Sequence, residues 1–561
     1  MLTTEEMEML LPEMTLVAGI ILAVLIPNLG DSTLRIPLTR TRIPILIGGT
    51  RFKNTSDPRL PARIAILALF VAFVYSFLEI EGASGEVGGV IEITSFTRMM
   101  SFVFYGALLL AAIATTYRMP ARLSARAPTG NDSESRAEAL VAALMDNRRQ
   151  VDFHILLMMV GLGMGLMAMA SNLFFMFVAI ELASLAAYVL VAFHKEGEAG
   201  GEAGAKYFIV GSVASATGIY GMSLVYLWSG DLDFDALATH WAAMDELDPF
   251  AVIGVGLMLV AFGFKVSAAP FHLAAPDAYA GASSPVAGVL ATASKAMGFV
   301  ALFRVLIEVT MPEQGEALWF GILAIIALIT MTWGNLAALT SDNPKRMLAY
   351  SSVAHAGYLL AALAALGSGM AGAATSRLLI TAVAFHLLVL AFFKSGAFLV
   401  LTLTEMKGDD ANKMESLYGL GRRDPIIAAA MFVFMLALAG VPPLSGFLSK
   451  FLVIDGIVTA STASGSLSAG GAIEWLSSVH WVFWLAVAMA VNSALSLFYY
   501  LRIGQVMFFE TPRSIRPLPE APMIRIAVIL CLFLTVLAGL GPFSQTLVDM
   551  ATMAAQELLR V

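Results

Sequence analysis

The chain has 561 residues, of which 59% are hydrophobic and only 13% are charged, with 33 Lys and Arg against 41 Asp and Glu. A soluble domain carries roughly 25% charged residues, so this composition excludes a soluble globular protein and indicates a polytopic membrane protein. The single cysteine excludes an internal disulfide and a cysteine-bound iron–sulfur cluster on this chain, and no basic face or stacking module for nucleic acid accompanies the net charge of −8.

Fourteen apolar runs are long enough to cross a membrane, because a helix needs about 20 residues to span a hydrocarbon core of about 30 Å. They predict an all-α polytopic fold with about fourteen transmembrane helices. The predicted spans are 10–29, 62–80, 98–116, 152–170, 172–193, 205–228, 251–274, 285–310, 317–339, 346–366, 376–404, 426–454, 478–501 and 522–548.

Lys and Arg concentrate in every second connection between these spans. Because short cytoplasmic loops collect basic residues, we expect those connections in the cytoplasm and both termini on the outer side. The two longest are the polar loops 30–61 and 117–150, and a shorter one contains Lys345 and Arg346. On the outer side, the Ser-, Gly- and Ala-rich segment 459–471 predicts a flexible loop.

The stretch 259–304 carries Lys265, His272 and Lys295 inside apolar sequence. An ionised side chain near the centre of a spanning helix costs roughly 2.5–3.5 kcal/mol, so each lysine is expected to face the protein interior, pair with another group or stay partly neutral. Prolines and a glycine between the two lysines interrupt the helical hydrogen-bond ladder, which predicts a broken helix lining a wet cavity. These residues are Pro270, Pro276, Gly281 and Pro285.

Glu181 lies in the middle of the fifth predicted span, with Ser184 and Tyr188 on the same helical face at i+3 and i+7. A buried carboxylate needs a partner, and Lys206 at the start of the sixth span is the nearest candidate in sequence. Glu202 at i−4 offers Lys206 an alternative local pair. The structural interpretation is a static salt bridge between Glu181 and Lys206.

Lys265 and Lys295 are harder to explain as structural residues, because neither lies near a span end from which its stem would reach the headgroups. Burial favours the neutral amine and a nearby carboxylate favours the charged form. A series of groups that respond in this way to the charge of a neighbour is the physical requirement for a proton relay. His272 fits as an intermediate because histidine titrates near neutrality, and the alternative is a histidine that only makes a structural hydrogen bond.

The second half of the chain has a similar layout. His355 lies in the tenth predicted span, His386 and Lys394 lie in the eleventh, and Lys450 follows an interruption of the twelfth. Paired interrupted helices in corresponding positions of two halves predict internal inverted repeats with sites near the bilayer midplane. The interrupting residues are Pro442, Pro443 and Gly446.

Six segments between residues 172 and 452 carry a family resemblance: IELASLAAYVLVAF, EAGAKYFIVGSVASA, SGDLDF, FKVSAAPFHLAAPDAYAGASSPVAGVLATASK, KRMLAYSSVAHAGYLL and LALAGVPPLSGFLSKF. In this order they resemble the antiporter-like membrane subunits of respiratory complex I, and most closely the subunit N branch of that family. The resemblance implies fourteen helices with two inverted five-helix repeats, at helices 4–8 and 9–13, and with helices 7 and 12 broken. It also implies relay roles for Glu181, Lys265, Lys295 and Lys450, with Lys206 as an additional channel residue.

Some features differ from the subunit N pattern. Lys394 stands in AFHLLVLAFFKSGAFLV, a pattern more typical of the sibling subunits L and M, where subunit N usually has a neutral residue. The loops 30–61 and 117–150 are longer than is usual for subunit N. No long lateral helix of the kind expected of subunit L follows the fourteenth span, which favours subunit N.

These patterns divide the chain into four parts. Residues 1–151 form an N-terminal three-helix segment with two long cytoplasmic loops, 152–310 the first repeat, 311–510 the second repeat, and 511–561 the C-terminal helix.

The resemblance implies a proton-translocating membrane subunit of NADH–quinone oxidoreductase in a prokaryotic cytoplasmic membrane. Its expected partners are the lipid bilayer and the other membrane and peripheral subunits of complex I, in particular the sibling antiporter-like subunits, but not nucleic acid. Flavin, iron–sulfur clusters and quinone are expected in partner subunits, with no cofactor or metal on this chain. The supporting relay candidates are Lys206, Glu202, His272, His355, Lys394 and His386.

Two other functions are compatible with the same residues. The first is a subunit of a multi-subunit cation/proton antiporter, which has no redox partner and would not purify with iron–sulfur proteins. The second is a structural membrane scaffold in which the buried lysines only form pairs, so that neutral replacement of Lys265 or Lys295 would leave transport unchanged.

Overall fold

The computed structural model describes residues 3–25, 33–35, 42–44, 59–82, 84–116, 133–194, 198–312, 315–407, 410–462, 479–512 and 517–559. Within these residues the chain is almost entirely helical, with two short antiparallel hairpins. The first hairpin pairs β1 (Thr33–Arg35) with β2 (Arg42–Pro44), and the second pairs β3 (Gly85–Val87) with β4 (Ile91–Ile93).

The described residues contain twenty-one α-helices. They are α1 Thr4–Met9, α2 Leu11–Leu25, α3 Leu60–Leu78, α4 Ser95–Thr115, α5 Ser133–Ala168, α6 Leu173–Val191, α7 Glu198–Ser229, α8 Phe234–Ala242, α9 Pro249–Val266, α10 Ala275–Gly281, α11 Ser284–Ala291, α12 Ala293–Phe303, α13 Phe320–Thr340, α14 Pro344–Leu366, α15 Ala373–Met406, α16 Leu420–Arg423, α17 Pro425–Ala439, α18 Ser445–Thr462, α19 Phe483–Phe508, α20 Pro522–Leu537 and α21 Gly541–Leu558. A π-helical turn, Arg304–Val309, continues α12, and two 3-10 turns lie at Ala192–His194 and Met414–Leu417.

In four helices, a polar residue directly before the first helical residue sets where the helix begins. A side-chain oxygen just before each helix accepts hydrogen bonds from the first free backbone N–H groups, and in three cases a proline follows at the first helical position. These capping residues are Asn172 for α6, Asp248 for α9, Asn343 for α14 and Asp424 for α17.

The all-α polytopic membrane fold is confirmed. Among the described residues, eleven helices are long and apolar enough to cross a membrane, and α20 with α21, bent by 87°, makes up to twelve if that pair is one span. The apolar helices α2 and α17 are shorter. Helical residues occur in every predicted span, but the number of fourteen crossings and the inverted repeats stay predictions.

Both predicted interruptions are present. Helix α9 ends at Val266, Ser267 adopts a left-handed backbone conformation with φ 60°, and the next helix begins only at Ala275. Helix α17 ends at Ala439, Gly440 has φ +86°, and α18 begins after a short turn.

The predicted loops are only partly described. The loop 30–61 lies largely outside the described residues, and so does 117–132 of the second loop. The remainder of that second loop is not a loop, because α5 begins at Ser133 and continues without interruption into the fourth predicted span. Similarly, α18 extends to Thr462, so the start of the predicted outer loop 459–471 is helical, and the rest of it lies outside the described residues.

The centre of the molecule consists of α11, α12, α14 and α15, in which almost every residue is buried. The surrounding helices α3, α7, α13 and α19 bury less than half of the residues in their most apolar 18-residue segments, and large hydrophobic side chains cover their outer faces. Because lipid tails are as apolar as these side chains, such faces are stable in a bilayer. The buried lysines therefore lie inside protein, shielded from lipid.

Candidate functional site

Lys265 occupies the end of α9, one residue before its last, and is 7% exposed. Its Nζ donates to Ser184 Oγ at 2.5 Å and to the Tyr188 hydroxyl at 3.2 Å, both on α6. The same atom lies 5.4 Å from the ring centroids of Tyr188 and Phe264, whose faces attract a cation. Hydroxyls and aromatic rings thus surround the first central lysine.

Glu181 is half-buried on α6 and accepts a hydrogen bond from Ser215 Oγ of α7 at 2.5 Å. The structure does not pair it with Lys206. Instead Lys206 Nζ lies 2.6 Å from Glu202 Oε1 and 3.0 Å from Asp277 Oδ2, with about half of the lysine side chain exposed. The local i, i+4 pair is present, and Glu181 lies on α6 one turn before Ser184, a hydrogen-bond partner of Lys265.

Lys295 lies in the first turn of α12 and is 1% exposed. Its Nζ donates to the backbone carbonyl of Ser352 on α14 at 2.6 Å. Helix α12 also packs tightly on the end of α9, since a Cβ atom on Gly298 would lie 2.9 Å from Lys265 Cβ. The structure therefore places Lys295 between the Lys265 site and α14.

Two buried histidines connect α14, α15 and α18. His355 Nδ1 and His386 Nε2 are 3.0 Å apart, and His386 Nδ1 lies 3.0 Å from Ser449 Oγ. The Tyr500 hydroxyl of α19 lies 3.4 Å from His355 Nε2. Because Ser449 immediately precedes Lys450, the histidine pair reaches the helical turn of α18 that also carries the lysine.

Lys450 is 4% exposed and lies in α18, just beyond the second interruption. Its Nζ donates to the carbonyls of Leu438 and Ala439 at 2.9 and 3.0 Å, and to Ser493 Oγ at 2.9 Å. The last carbonyls of a helix have no partner within it and carry partial negative charge. The break in the helix therefore creates the site that holds Lys450.

Two of the predicted candidates have a buried nitrogen without a hydrogen-bond partner among the described residues. They are Lys394 Nζ, on a side chain that is 0% exposed, and His272 Nδ1, in the segment between α9 and α10. Buried polar groups normally find a partner in protein or in internal water. These two positions are where internal water would be needed.

Several polar residues at the site carry no signal in the sequence alone. Lys345, expected on a cytoplasmic connection, is instead buried and lies 2.7 Å from Glu405 Oε1. The sequence does not mark Asp277 and Ser215 as partners of charged residues, because an aspartate in a first helical turn and a serine within a helix are both common. A buried amide and hydroxyl network also joins Asn335, Tyr358, Asn492 and Tyr499.

The described part of the chain holds no group of three or more His, Cys, Asp or Glu side chains arranged to bind a metal ion. What the arrangement offers is a set of buried amines, imidazoles and hydroxyls together with the half-buried carboxylate of Glu181, placed on both helix breaks and on the helices between them. Such groups exchange protons with their neighbours and with internal water.

The sequence and the structure were compared with those of known proteins. The family described as NADH:quinone oxidoreductase/Mrp antiporter matches residues 170–473. NADH-quinone oxidoreductase subunit N 2 of Roseiflexus castenholzii is 37% identical over 394 residues, 70% of this chain and 74% of the relative. A chain of respiratory complex I from Thermus thermophilus is similar with a TM-score of 0.67 and 27% identity, covering 95% of this chain and 97% of that chain. A chain of the Mrp complex from Dietzia sp. DQ12-45-1b shares the fold, with a TM-score of 0.74, 19% identity and coverage of 100% and 98%.

Proposed function

This chain belongs to the NADH:quinone oxidoreductase/Mrp antiporter family of membrane subunits, and we propose that it is the proton-translocating subunit N of a membrane-bound NADH–quinone oxidoreductase. Its task in the assembly is to move protons through buried lysines and Glu181 while partner subunits reduce quinone. The chain is catalytic only as part of that complex.

The observation that carries this proposal is a series of buried polar groups that crosses from the first half of the chain to the second. Successive members are joined by a hydrogen bond, lie one helical turn apart (Ser352 and His355) or follow each other in sequence (Ser449 and Lys450), and ionisable members recur along the series. In order, the residues are Lys295, Ser352, His355, His386, Ser449 and Lys450. Buried charges cost free energy in a membrane and mark ion or proton pathways in many transporters. Ionisable groups on both helix breaks therefore support a relay over a structural scaffold.

The same proposal implies that other subunits carry the redox cofactors. NADH-quinone oxidoreductase subunit N 2 of Roseiflexus castenholzii is named as part of an oxidoreductase, and this chain has one cysteine, too few for an iron–sulfur cluster. We place the flavin, the iron–sulfur clusters and the quinone in other subunits, and the sibling antiporter-like subunits beside this one.

The proposed location is a prokaryotic cytoplasmic membrane, with both termini on the periplasmic side. The excess of Lys and Arg in alternate connections supports this orientation, since such residues resist translocation. A cysteine introduced at Arg126 should react with an impermeant reagent only after the cells are opened. Labelling of that cysteine in intact cells would reverse the orientation.

The relay is tested with the purified complex in sealed vesicles, by measuring NADH oxidation and internal acidification for Lys295→Ala, Glu181→Gln and Lys265→Arg. Arginine stays protonated, so Lys265→Arg keeps the charge and blocks its release. All three should slow both activities, because redox chemistry and pumping are linked. Lys413→Ala, which removes a lysine that is 66% exposed, is the matched control. Assembly with both activities at the parental level in all three variants contradicts the relay.

The second candidate is a multi-subunit cation/proton antiporter, favoured by the fold shared with the Mrp complex. The two functions differ in their partners. Purification through an affinity tag on this chain should bring down iron–sulfur proteins with the oxidoreductase, and none with the antiporter.

A further inference from the structure

Lys345 and Glu405 form a buried ion pair at the ends of α14 and α15. Their side chains are 3% and 8% exposed, and Lys345 Nζ lies 2.7 Å from Glu405 Oε1. A buried pair is expensive unless additional hydrogen bonds satisfy both partners. Here those bonds come from the turn between α10 and α11.

Each charge lies against a helix end of the opposite polarity. Lys345 Nζ donates to the carbonyls of Ala282 at 2.8 Å and Ala280 at 3.4 Å, where α10 ends. Glu405 Oε2 accepts from the backbone N–H of Ser284 at 3.3 Å, where α11 begins. Cations are favoured at helix C-termini and anions at N-termini, so the pair holds this turn in one position.

The pair also occupies a common end of three central helices. Helix α11 packs against both α14 and α15. Lys295, His355 and Lys394 each lie ten or eleven residues inward of Ser284, Lys345 and Glu405 respectively. Along the uninterrupted helices α14 and α15, at 1.5 Å per residue, this distance is about 15 Å, half of a hydrocarbon core of about 30 Å.

Polar groups lie on both sides of this turn. Toward solvent, Asp277 of α10 bonds to Lys206 and to Arg346, all at least a quarter exposed. Within the turn, the hydroxyls of Ser283 and Ser284 are buried and have no partner among the described residues. The turn therefore lies between an exposed charged cluster and two buried hydroxyls that remain available to hydrogen-bond water.

From this arrangement we propose that Lys345 and Glu405 are positioning residues that close the charged end of the α11–α14–α15 group to water and open it during turnover, so that protons reach Lys295. This inference rests on the proposed function only for the identity of the transported ion, the proton. The closure itself is a property of the fold and is measured without proton transport.

The test measures how fast a maleimide labels a cysteine at Ser284 in the detergent-purified complex, where both faces are open to the reagent. The native Cys531 is replaced by Ala, and labelling is quantified on this chain after the subunits are separated. With the pair intact, labelling should be slow. Lys345→Met and Glu405→Gln should each speed it at least about tenfold, because the remaining buried charge draws water into the turn. Lys345→Arg, which keeps the charge, should stay near the parental rate.

The control is Asp342→Asn, which breaks an exposed ion pair with Arg502 on the same face and should leave labelling slow. Supplying NADH and quinone should speed labelling in the parent. An apolar double variant, Lys345→Met with Glu405→Leu, leaves no unpaired charge and should assemble, label slowly and lose the increase during turnover.

Three results overturn the proposal. The first is equally slow labelling in the parent and in both single variants, which means that the pair closes nothing. The second is fast labelling of the parent at rest. The third is a parental rate that does not change during turnover, which makes the pair a static clamp. None of these results depends on whether Lys295 carries protons, so failure of the relay is recognised separately in vesicles.

Discussion

The two interrupted helices hold their lysines by different chemistry. Lys265 precedes the first break and is bound by two side-chain hydroxyls of α6. Lys450 follows the second break and is bound by two backbone carbonyls and one hydroxyl. A single substitution can remove a side chain but not a helix terminus. The second lysine site is therefore built into the backbone, whereas the first is set by side chains that can move.

The groups around the two lysines also differ between the two halves of the chain. In the second half, the His355–His386 pair leads by hydrogen bonds to the neighbour of Lys450. In the first half, Glu181 bonds to Ser215 and lies one helical turn from a ligand of Lys265. A carboxylate near a lysine changes the charge state that the lysine favours, so the first half is the more adjustable of the two.

The largest expected effect is on transport. Lys265→Ala and Lys450→Ala should each reduce vesicle acidification by about 10²-fold or more, the range for loss of a proton-transfer group. Lys413→Ala should leave acidification unchanged. If one of these two variants loses acidification and the other acidifies normally, the relay is confined to the half of the chain that carries the sensitive lysine, and the comparison between the two sites fails.

The next effect is on stability. Lys450→Met leaves the carbonyls of Leu438 and Ala439 buried without a donor, at about 1–3 kcal/mol for each. Lys265→Met should be milder, because Ser184 Oγ still donates to the Ile180 carbonyl at 2.5 Å. The measurement is the temperature at which this chain aggregates out of the purified complex. A lower temperature for Lys265→Met than for Lys450→Met would show that the first site is the more rigid one, and equal temperatures would remove the difference between the sites.

Removal of one hydroxyl should reduce acidification more at the Lys265 site than at the Lys450 site. Tyr188→Phe takes away one of two hydrogen-bond partners of Lys265 and should lower acidification by about tenfold, in line with about 1.5 kcal/mol for a hydrogen bond to a charged group. Ser493→Ala takes away one of three hydrogen-bond partners of Lys450, but the two carbonyl partners remain. Acidification should therefore change by less than about twofold. The reverse order would mean that the carbonyls do not hold Lys450.

The smallest effects concern the residues that end the two helices. Ser267 and Gly440 both have left-handed backbone conformations, with φ 60° and +86°. A residue with a Cβ atom costs about 1–2 kcal/mol there, so Ser267→Gly should stabilise the chain and Gly440→Ala should destabilise it. A Cβ atom at residue 440 would also lie 3.0 Å from Lys450 Cδ. The same aggregation assay measures both, and a stabilising Gly440→Ala would contradict the geometry.

Much of the fold is readable from the sequence because a bilayer imposes local rules. Spans must be apolar for about 20 residues, which located helical segments throughout the chain. Backbone breaks at membrane depth must be satisfied by protein or water, so the prolines near Pro270 and Pro442 indicated both interruptions. The cost of buried charge singled out Lys265, Lys295 and Lys450, all of which are buried.

The partners of these charges were decided only by the tertiary structure. Glu181 bonds to Ser215 and not to Lys206, and Lys345 leaves its expected surface position to pair with Glu405. Each partner lies on a different helix. Helical periodicity shows which residues share a face, but it does not show which helix that face meets. In a chain this apolar, buried and lipid-facing positions also have the same composition, so helix rotation and packing determine which polar atoms come together.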